Sequence, residues 1–313
     1  MNKRQEVSAS HVKKLLRRSR MPRNQVAAIS GLSNAYIRVL ERGETASVGR
    51  EKLISFAVAL NLDLDETDEL LAVFDRTKLT ADDIPSFIET SKQMKISSAL
   101  LPLRDAFLIE LLFLAIEQVP GNQIIVNDRP TSCLRPEGFR SYSCRKMAKV
   151  HPIHSALIEA IGRERKRNLV SKLTHYPVYN YICRDNLEEY IRDCEDPEEL
   201  GWRIKHVEVM LWHIRHYDDF HVLLTSTIPS FLFSLKLPPD SKNGSPKLAF
   251  IGKQIDFFMG KGSGRLAGFA TDNQVVIENF RADVEFLKEN VIQEYLDQQR
   301  LEAYLESLMA WSG

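Results

Sequence analysis

The sequence predicts an all-α N-terminal domain of five short helices, then an apolar linker helix and a C-terminal mixed α/β (α+β) domain. Apolar residues recur at helical spacing through the first part of the chain, whereas several runs after Asp219 alternate with a period of two.

Basic and acidic residues are also distributed differently between the N-terminal part and the rest of the chain. Of 42 basic and 42 acidic residues, residues 1–60 hold twelve basic and four acidic ones, which leaves thirty and thirty-eight for the rest. A basic module on a mildly acidic body suggests that the first part binds a polyanion.

The five N-terminal helices are predicted from their apolar faces and from the residues that begin and end them. Pro22 suits the first turn of a helix, Gly31 ends that helix, and Ser33 can cap the next one. The Arg42-Gly43 pair ends the third helix, and acidic residues open the fifth. The predicted helices cover residues 8–20, 23–30, 33–41, 50–60 and 65–78.

The remaining elements define two further regions. Turn residues near Leu79 begin a linker, and the apolar run 99–118 ends at Pro120-Gly121-Asn122. We therefore divide the chain into residues 1–78, 79–122 and 123–313. Further helices are predicted at 86–94, 154–169, 186–193, 197–217 (with a break at Gly201) and 281–311 (with a break near 298–300). Strands are predicted at 124–126, 176–184, 220–227, 230–237, 246–253, 264–271 and 274–280, and residues 127–150 are predicted to be a long surface loop.

The stretch GLSNAYIRVLERGE, residues 31–44, has the features of a tight turn between two packed helices. Gly31 can adopt a positive φ, and the small Ala27 lets the helices approach closely. The pattern continues with Leu32, Ser33, Ile37 and Glu41-Arg42-Gly43. It resembles the lambda-repressor-like helix-turn-helix family, also called the xenobiotic-response-element family of bacterial and phage regulators. The resemblance covers residues 12–71.

The resemblance implies that the helix beginning at Ser33 lies in the DNA major groove, with its first side chains at base edges. Asn pairs with adenine, Arg with guanine, and Ala contacts a thymine methyl group, so Asn34, Ala35 and Arg38 are the predicted base contacts, with Val39 as a further candidate. The family commonly has Gln where this sequence has Arg23, so the detailed contact there does not carry over. The DNA-binding set is completed by Ser33 and by predicted backbone contacts from Arg17, Arg20, Arg23, Tyr36 and Arg42.

The sequence thus predicts a non-enzymatic transcriptional regulator, repressor or activator, that binds double-stranded operator DNA in the bacterial cytoplasm. One module reads few base pairs, so we expect a homodimer. The dimer contact would be formed by helix 99–118 or helix 281–311; the alternative is that both helices belong to the hydrophobic core of the monomer. The C-terminal domain would sense a small-molecule or protein effector. Alternatives are an antitoxin-like or partner-binding autoregulator, a five-helix scaffold that contacts proteins, and an enzyme with a DNA-targeting module.

Weaker signals lie in the C-terminal part. The Gly-rich run 260–268 carries Lys261 and Arg265, which are weak candidates for binding an anionic effector, although a hairpin loop is the simpler interpretation. The run 213–221 holds three His and two Asp but crosses an element boundary, so no metal site is predicted. The basic run 163–168 is typical of a solvated helix face, with a second nucleic-acid contact or an anionic-effector contact as the alternative. The four Cys have no zinc-ligand spacing, and no cofactor or membrane span is predicted.

Overall fold

The computed structural model describes residues 3–44, 47–95, 106–146, 150–227, 232–237, 248–253, 267–271 and 273–311, and every structural statement below concerns these residues. They form an N-terminal helical region followed by a mixed α/β region, which confirms the predicted overall class. None of the described helices is long and apolar enough to cross a membrane. The helices are α1 (Lys3–Ser19), α2 (Arg23–Ser30), α3 (Asn34–Arg42), α4 (Arg50–Ala59), α5 (Leu64–Val73), α6 (Ile84–Gln93), α7 (Ala106–Gln118), α8 (Phe139–Arg145), α9 (His154–Lys172), α10 (Arg184–Arg192), α11 (Pro197–His216), α12 (Gln274–Glu289) and α13 (Gln298–Met309).

Six described strands form one sheet. They are β1 (Asn122–Asn127), β2 (Val178–Cys183), β3 (Phe220–Thr225), β4 (Leu232–Leu237), β5 (Leu248–Lys253) and β6 (Ala267–Thr271). Their order across the sheet is β3-β2-β1-β4-β5-β6. The strands β1, β2 and β3 are parallel, with Gln123 opposite Val178 and Val178 opposite Phe220. The other three are antiparallel to their neighbours, and Gln123 also lies opposite Lys236. The parallel strands are joined by helical crossovers, as parallel pairing requires.

Helices cover both faces of the sheet. Because side chains alternate along a strand, Ile125 and Val178 point to one face, where residues of α9, α10, α11 and α13 pack. Ile124 and Phe233 point to the opposite face and belong to one buried cluster with Ile277, Val284 and Leu287 of α12. The parallel strands are therefore buried on both sides, as is usual for crossover topology.

The N-terminal helices share one hydrophobic core with α7 and α9. Apolar residues from Val12 to Phe87 belong to the same buried cluster as Leu111 and Ile158. Two polar contacts reinforce this junction: the Ser91 hydroxyl donates to the Leu111 carbonyl oxygen at 2.7 Å, and an imidazole nitrogen of His151 (Nε2) lies 3.2 Å from an Asp68 carboxylate oxygen. Helix α7 is therefore a central element of the core.

Several predicted boundaries were wrong for local reasons. Residues 127–150 do not form only a surface loop, because α8 lies within them and its Phe139 and Tyr142 are buried. The predicted strand 274–280 is the start of α12: the Asn273 side chain accepts hydrogen bonds from the first backbone N–H groups, and buried positions then follow helical spacing. The closing helix breaks at 290–297 rather than near 298–300, and α11 continues through Gly201.

Candidate nucleic-acid interface

The connection between α2 and α3 is a three-residue turn. Gly31 ends α2 with φ +69° and ψ 3°, in the left-handed region where glycine avoids the clash of a Cβ atom. The Ser30 hydroxyl donates to the Val26 carbonyl oxygen at 2.7 Å and accepts from the Leu32 N–H at 3.2 Å. The next helix then starts with a side-chain cap, because Ser33 Oγ accepts from the Tyr36 N–H at 3.1 Å. The turn that the sequence predicts is therefore present.

Helix α3 is fixed by its inner face and by its C-terminal end. Ile37 and Leu40 are fully buried in the N-terminal core. Gly43 ends the helix with φ +69°, and its N–H donates to the Leu40 carbonyl oxygen at 3.2 Å. A Cβ atom at Gly43 would lie only 2.5 Å from the backbone oxygen of Gln5 in α1, so α1 packs directly against this helix end. Both ends of α3 are thus held in place.

The outer face of α3 is polar and open. Asn34, Ala35, Arg38 and Arg42 are all exposed. At 100° per residue, Ala35, Arg38 and Arg42 fall on the side of the helix opposite Ile37 and Leu40, and Asn34 lies at the edge of that side. Ser33, also in the predicted set, uses its side chain as the cap. The structure therefore brings the predicted base contacts together on one exposed surface, hereafter the α3 outer face.

Arg23, a predicted phosphate contact, forms an ion pair within the motif. Its Nε lies 3.0 Å from Glu41 Oε2 and its Nη2 lies 2.8 Å from Glu41 Oε1, so the start of α2 is joined to the last turn of α3. The side chains are 48% and 21% exposed, and an exposed pair contributes little to stability. Arg23 would have to leave Glu41 to contact a phosphate, while Glu41 keeps negative charge close to the α3 outer face.

Tyr36 is half-buried and packs against the N-terminal core. Burial raises the pKa of its hydroxyl. The ammonium group of Lys52, on α4, lies 4.6 Å from the centre of the Tyr36 ring. Lys52 is exposed and adds a cation beside α3 that the sequence pattern did not indicate, because nothing in its spacing relates it to the turn.

The basic charge of the N-terminal region has two roles. Arg17 and Arg20 are exposed, and Arg20 has φ 56° in the link between α1 and α2. Arg50, in contrast, is an internal cation: its Nε lies 2.5 Å from Asp83 Oδ1, and its Nη2 donates to the Lys78 carbonyl oxygen at 2.9 Å. This hydrogen bond lowers the pKa of the Asp83 carboxyl group. The Arg50 guanidinium group therefore stabilises the fold and is not available to bind a ligand.

The weaker candidate sites are dispersed or differ from expectation. Lys261 and Arg265 lie outside the described residues. In the basic run 163–168, Arg165 is 1% exposed and binds buried carboxylates, so this run is not a wholly solvated face. His213 is buried and contacts the Val209 carbonyl oxygen at 2.7 Å. The described part of the chain contains no group of three or more His, Cys, Asp or Glu that could hold a metal ion.

Comparisons of the chain with family models, curated proteins and solved structures found no match. Function is therefore inferred from the arrangement of the side chains on α2, α3 and their neighbours.

Proposed function

We propose that the chain is a sequence-specific DNA-binding transcriptional regulator that places α3 in the major groove. The observation that carries this proposal is the α3 outer face. Asn34 and Arg38 are exposed one turn apart near the start of a helix whose opposite face is fully buried. A rigid helix with adjacent amide and guanidinium groups can reach adjacent base edges, and Ala35 beside them leaves room for a thymine methyl group.

The exposed cations support this orientation on DNA. Arg42 lies on the α3 outer face, and Lys52 lies beside the same helix through its contact with Tyr36. Exposed Lys and Arg bind phosphates without reading sequence and so position the helix on the duplex. Asn34 and Arg38 would supply specificity, and the flanking cations would supply the salt-dependent part of the affinity.

Operator binding as a homodimer is part of the proposal. A single module reads few base pairs, and two half-sites lie about 34 Å apart when they are separated by one helical turn of DNA. Of the two candidate segments, the described part of 99–118 buries its apolar side chains except the half-buried Phe113, whereas segment 281–311 exposes Phe286 (55%) and Leu296 (55%). We assign the dimer contact to the closing helices.

Light scattering of the full chain should give the mass of a dimer for wild type and the mass of a monomer for Phe286→Glu. A wild-type monomer at micromolar concentration would contradict this part of the proposal.

The test of DNA binding begins with selection of bound duplexes from a random pool by the full-length protein. Affinity for the selected site is then measured for wild type, Asn34→Ala and Arg38→Ala. The matched control is Arg192→Ala, which removes an arginine that is 50% exposed on α10, outside the basic run 163–168 and the helical N-terminal region. Each base contact should contribute about 1–3 kcal/mol, so affinity should fall about 5- to 150-fold in the two α3 variants and stay unchanged in the control. Equal affinities for all four proteins would exclude the α3 outer face as the reading surface.

A further inference from the structure

Two lysines are buried where α9 meets the β1–β4 pair of the sheet. Lys172 is the last residue of α9 and is 8% exposed, and Lys236 in β4 is 1% exposed. Lysine is almost never fully buried without a partner, because its ammonium group loses its hydration. Two buried lysines beside each other therefore need an explanation.

Neither lysine has a partner that compensates its charge. Within the described part of the chain, the Nζ atom of Lys172 is buried and has no hydrogen-bond acceptor. The Nζ atom of Lys236 donates only a long hydrogen bond, 3.5 Å, to the Gly121 carbonyl oxygen. The two amines interact with each other, and burial lowers the pKa of both. For Lys236, the neighbouring charge of Lys172 lowers it further.

The carboxylate whose charge acts on both lysines is already bound by an arginine. Glu117, on α7, receives two hydrogen bonds from Arg165: Nε to Oε2 at 3.0 Å and Nη2 to Oε1 at 2.7 Å. The remaining Arg165 nitrogen, Nη1, donates to Glu110. Burial raises the pKa of the nearby Cys133 thiol to about 11, so it carries no negative charge near neutral pH. The other groups that face the lysines therefore offer no carboxylate or thiolate that is free to pair with an ammonium group there.

A neutral donor lies on the same side of α9 as Lys172. Asn168 precedes Lys172 by one helical turn, and its buried Nδ2 has no acceptor in the described structure. Buried polar groups normally form hydrogen bonds, so a set of donors that lacks acceptors fits an acceptor-rich ligand.

We propose that Lys172, Lys236 and Asn168 form the binding site of a small oxyanion, either inorganic phosphate or the carboxylate group of a metabolite. A bound dianion places negative charge beside both ammonium groups and accepts the hydrogen bonds that their Nζ atoms lack. Both Nζ atoms are covered, so entry of the anion requires local opening of the structure. The proposal does not depend on DNA binding; in a regulator, the same site would receive the effector.

The test measures thermal unfolding of the full-length protein without DNA, in phosphate, in succinate and in chloride at matched ionic strength. One of the two dianions should raise the Tm of wild type by roughly 5 °C at about 100 times its Kd, and chloride should not. The dianion that acts distinguishes the phosphate class from the carboxylate class. In Lys172→Met/Lys236→Met the rise should be absent, and the Tm without ligand should increase because two buried amines are removed. The control Lys288→Met changes an exposed lysine of α12 and should respond like wild type.

A second measurement uses wild type alone and so does not depend on how the variant folds. Calorimetry at several pH values between 7 and 10, each in two buffers of different ionisation enthalpy, reports the protons taken up with the anion. Since burial lowers the pKa of both lysines, an anion beside them should raise it again and draw protons from the buffer, and affinity should fall as pH rises. No Tm shift with either dianion, an equal shift in the double variant, or binding without proton uptake would overturn the proposal.

Discussion

Alanine substitutions at three glycines should separate backbone strain from close helix packing around α3. At Gly31, φ is +69° and a new Cβ atom would lie 3.1 Å from Gln93 Oε1, the end of a flexible side chain, so the loss should be the strain alone, about 1–2 kcal/mol. Gly43 has the same φ, but its Cβ would lie 2.5 Å from the Gln5 backbone oxygen. Overpacking adds about 1–3 kcal/mol, so Gly43→Ala should cost about 2–5 kcal/mol.

The control is Gly201→Ala. Gly201 lies inside α11, and a Cβ atom there would meet nothing within 4 Å, so alanine should stabilise the protein by about 0.5–1 kcal/mol through helix propensity. Urea unfolding followed by far-UV circular dichroism gives the three changes in unfolding free energy. Equal losses for Gly31→Ala and Gly43→Ala would refute the close contact between α1 and the end of α3.

Two further predictions concern buried titratable side chains in the C-terminal region. His206 is fully buried, its Nε2 lying 3.1 Å from the Thr131 carbonyl oxygen, and burial lowers its pKa well below the usual value. The unfolded chain therefore takes up a proton below about pH 6.5 while the folded protein does not, so the unfolding free energy should fall as pH drops from 7 to 5, by up to about 1.4 kcal/mol per pH unit from this group. Denaturation of His206→Gln should show a shallower pH slope; an unchanged slope would contradict the assignment. Arg165→Met should cost about 3–5 kcal/mol because it leaves Glu110 and Glu117 buried without their cation, and adding Glu110→Gln/Glu117→Gln should recover part of that loss in the same assay. No recovery would show that the loss comes from packing alone.

The sequence predicted the elements around α3 well because local residues determine their ends. Helix α2 has the predicted bounds, since Pro22 precedes it and Gly31 ends it. Helix α3 starts one residue later than predicted because Ser33 is its cap and not its first residue. The exposed positions of the α3 outer face also followed from helical period alone, once Ile37 and Leu40 were placed in the core.

Elements whose nature depends on distant contacts were predicted less well. The apolar run 274–280 fits a strand as well as a helix. In the structure it is helical, because the Asn273 side chain caps it and Ile277 packs against the face of the sheet that carries Ile124 and Phe233. Residues 127–150 contain many turn residues, yet Phe139 is buried beside Trp202 at a ring distance of 6.0 Å. The buried charges were not predictable either: Arg165 lies within a basic run, and its partner Glu117 is 48 positions away in the sequence.

The most direct test of the central claim is the affinity of Arg38→Ala for a DNA site selected by the wild-type protein, compared with Arg192→Ala under identical salt. Arg38 is exposed on α3, and the proposed guanine contact requires its side chain alone. We predict a loss of about 5- to 150-fold for Arg38→Ala, with relaxed preference at one base position, and no loss for Arg192→Ala. Unchanged affinity and preference for Arg38→Ala, or failure of wild type to select any sequence, would contradict the proposed function.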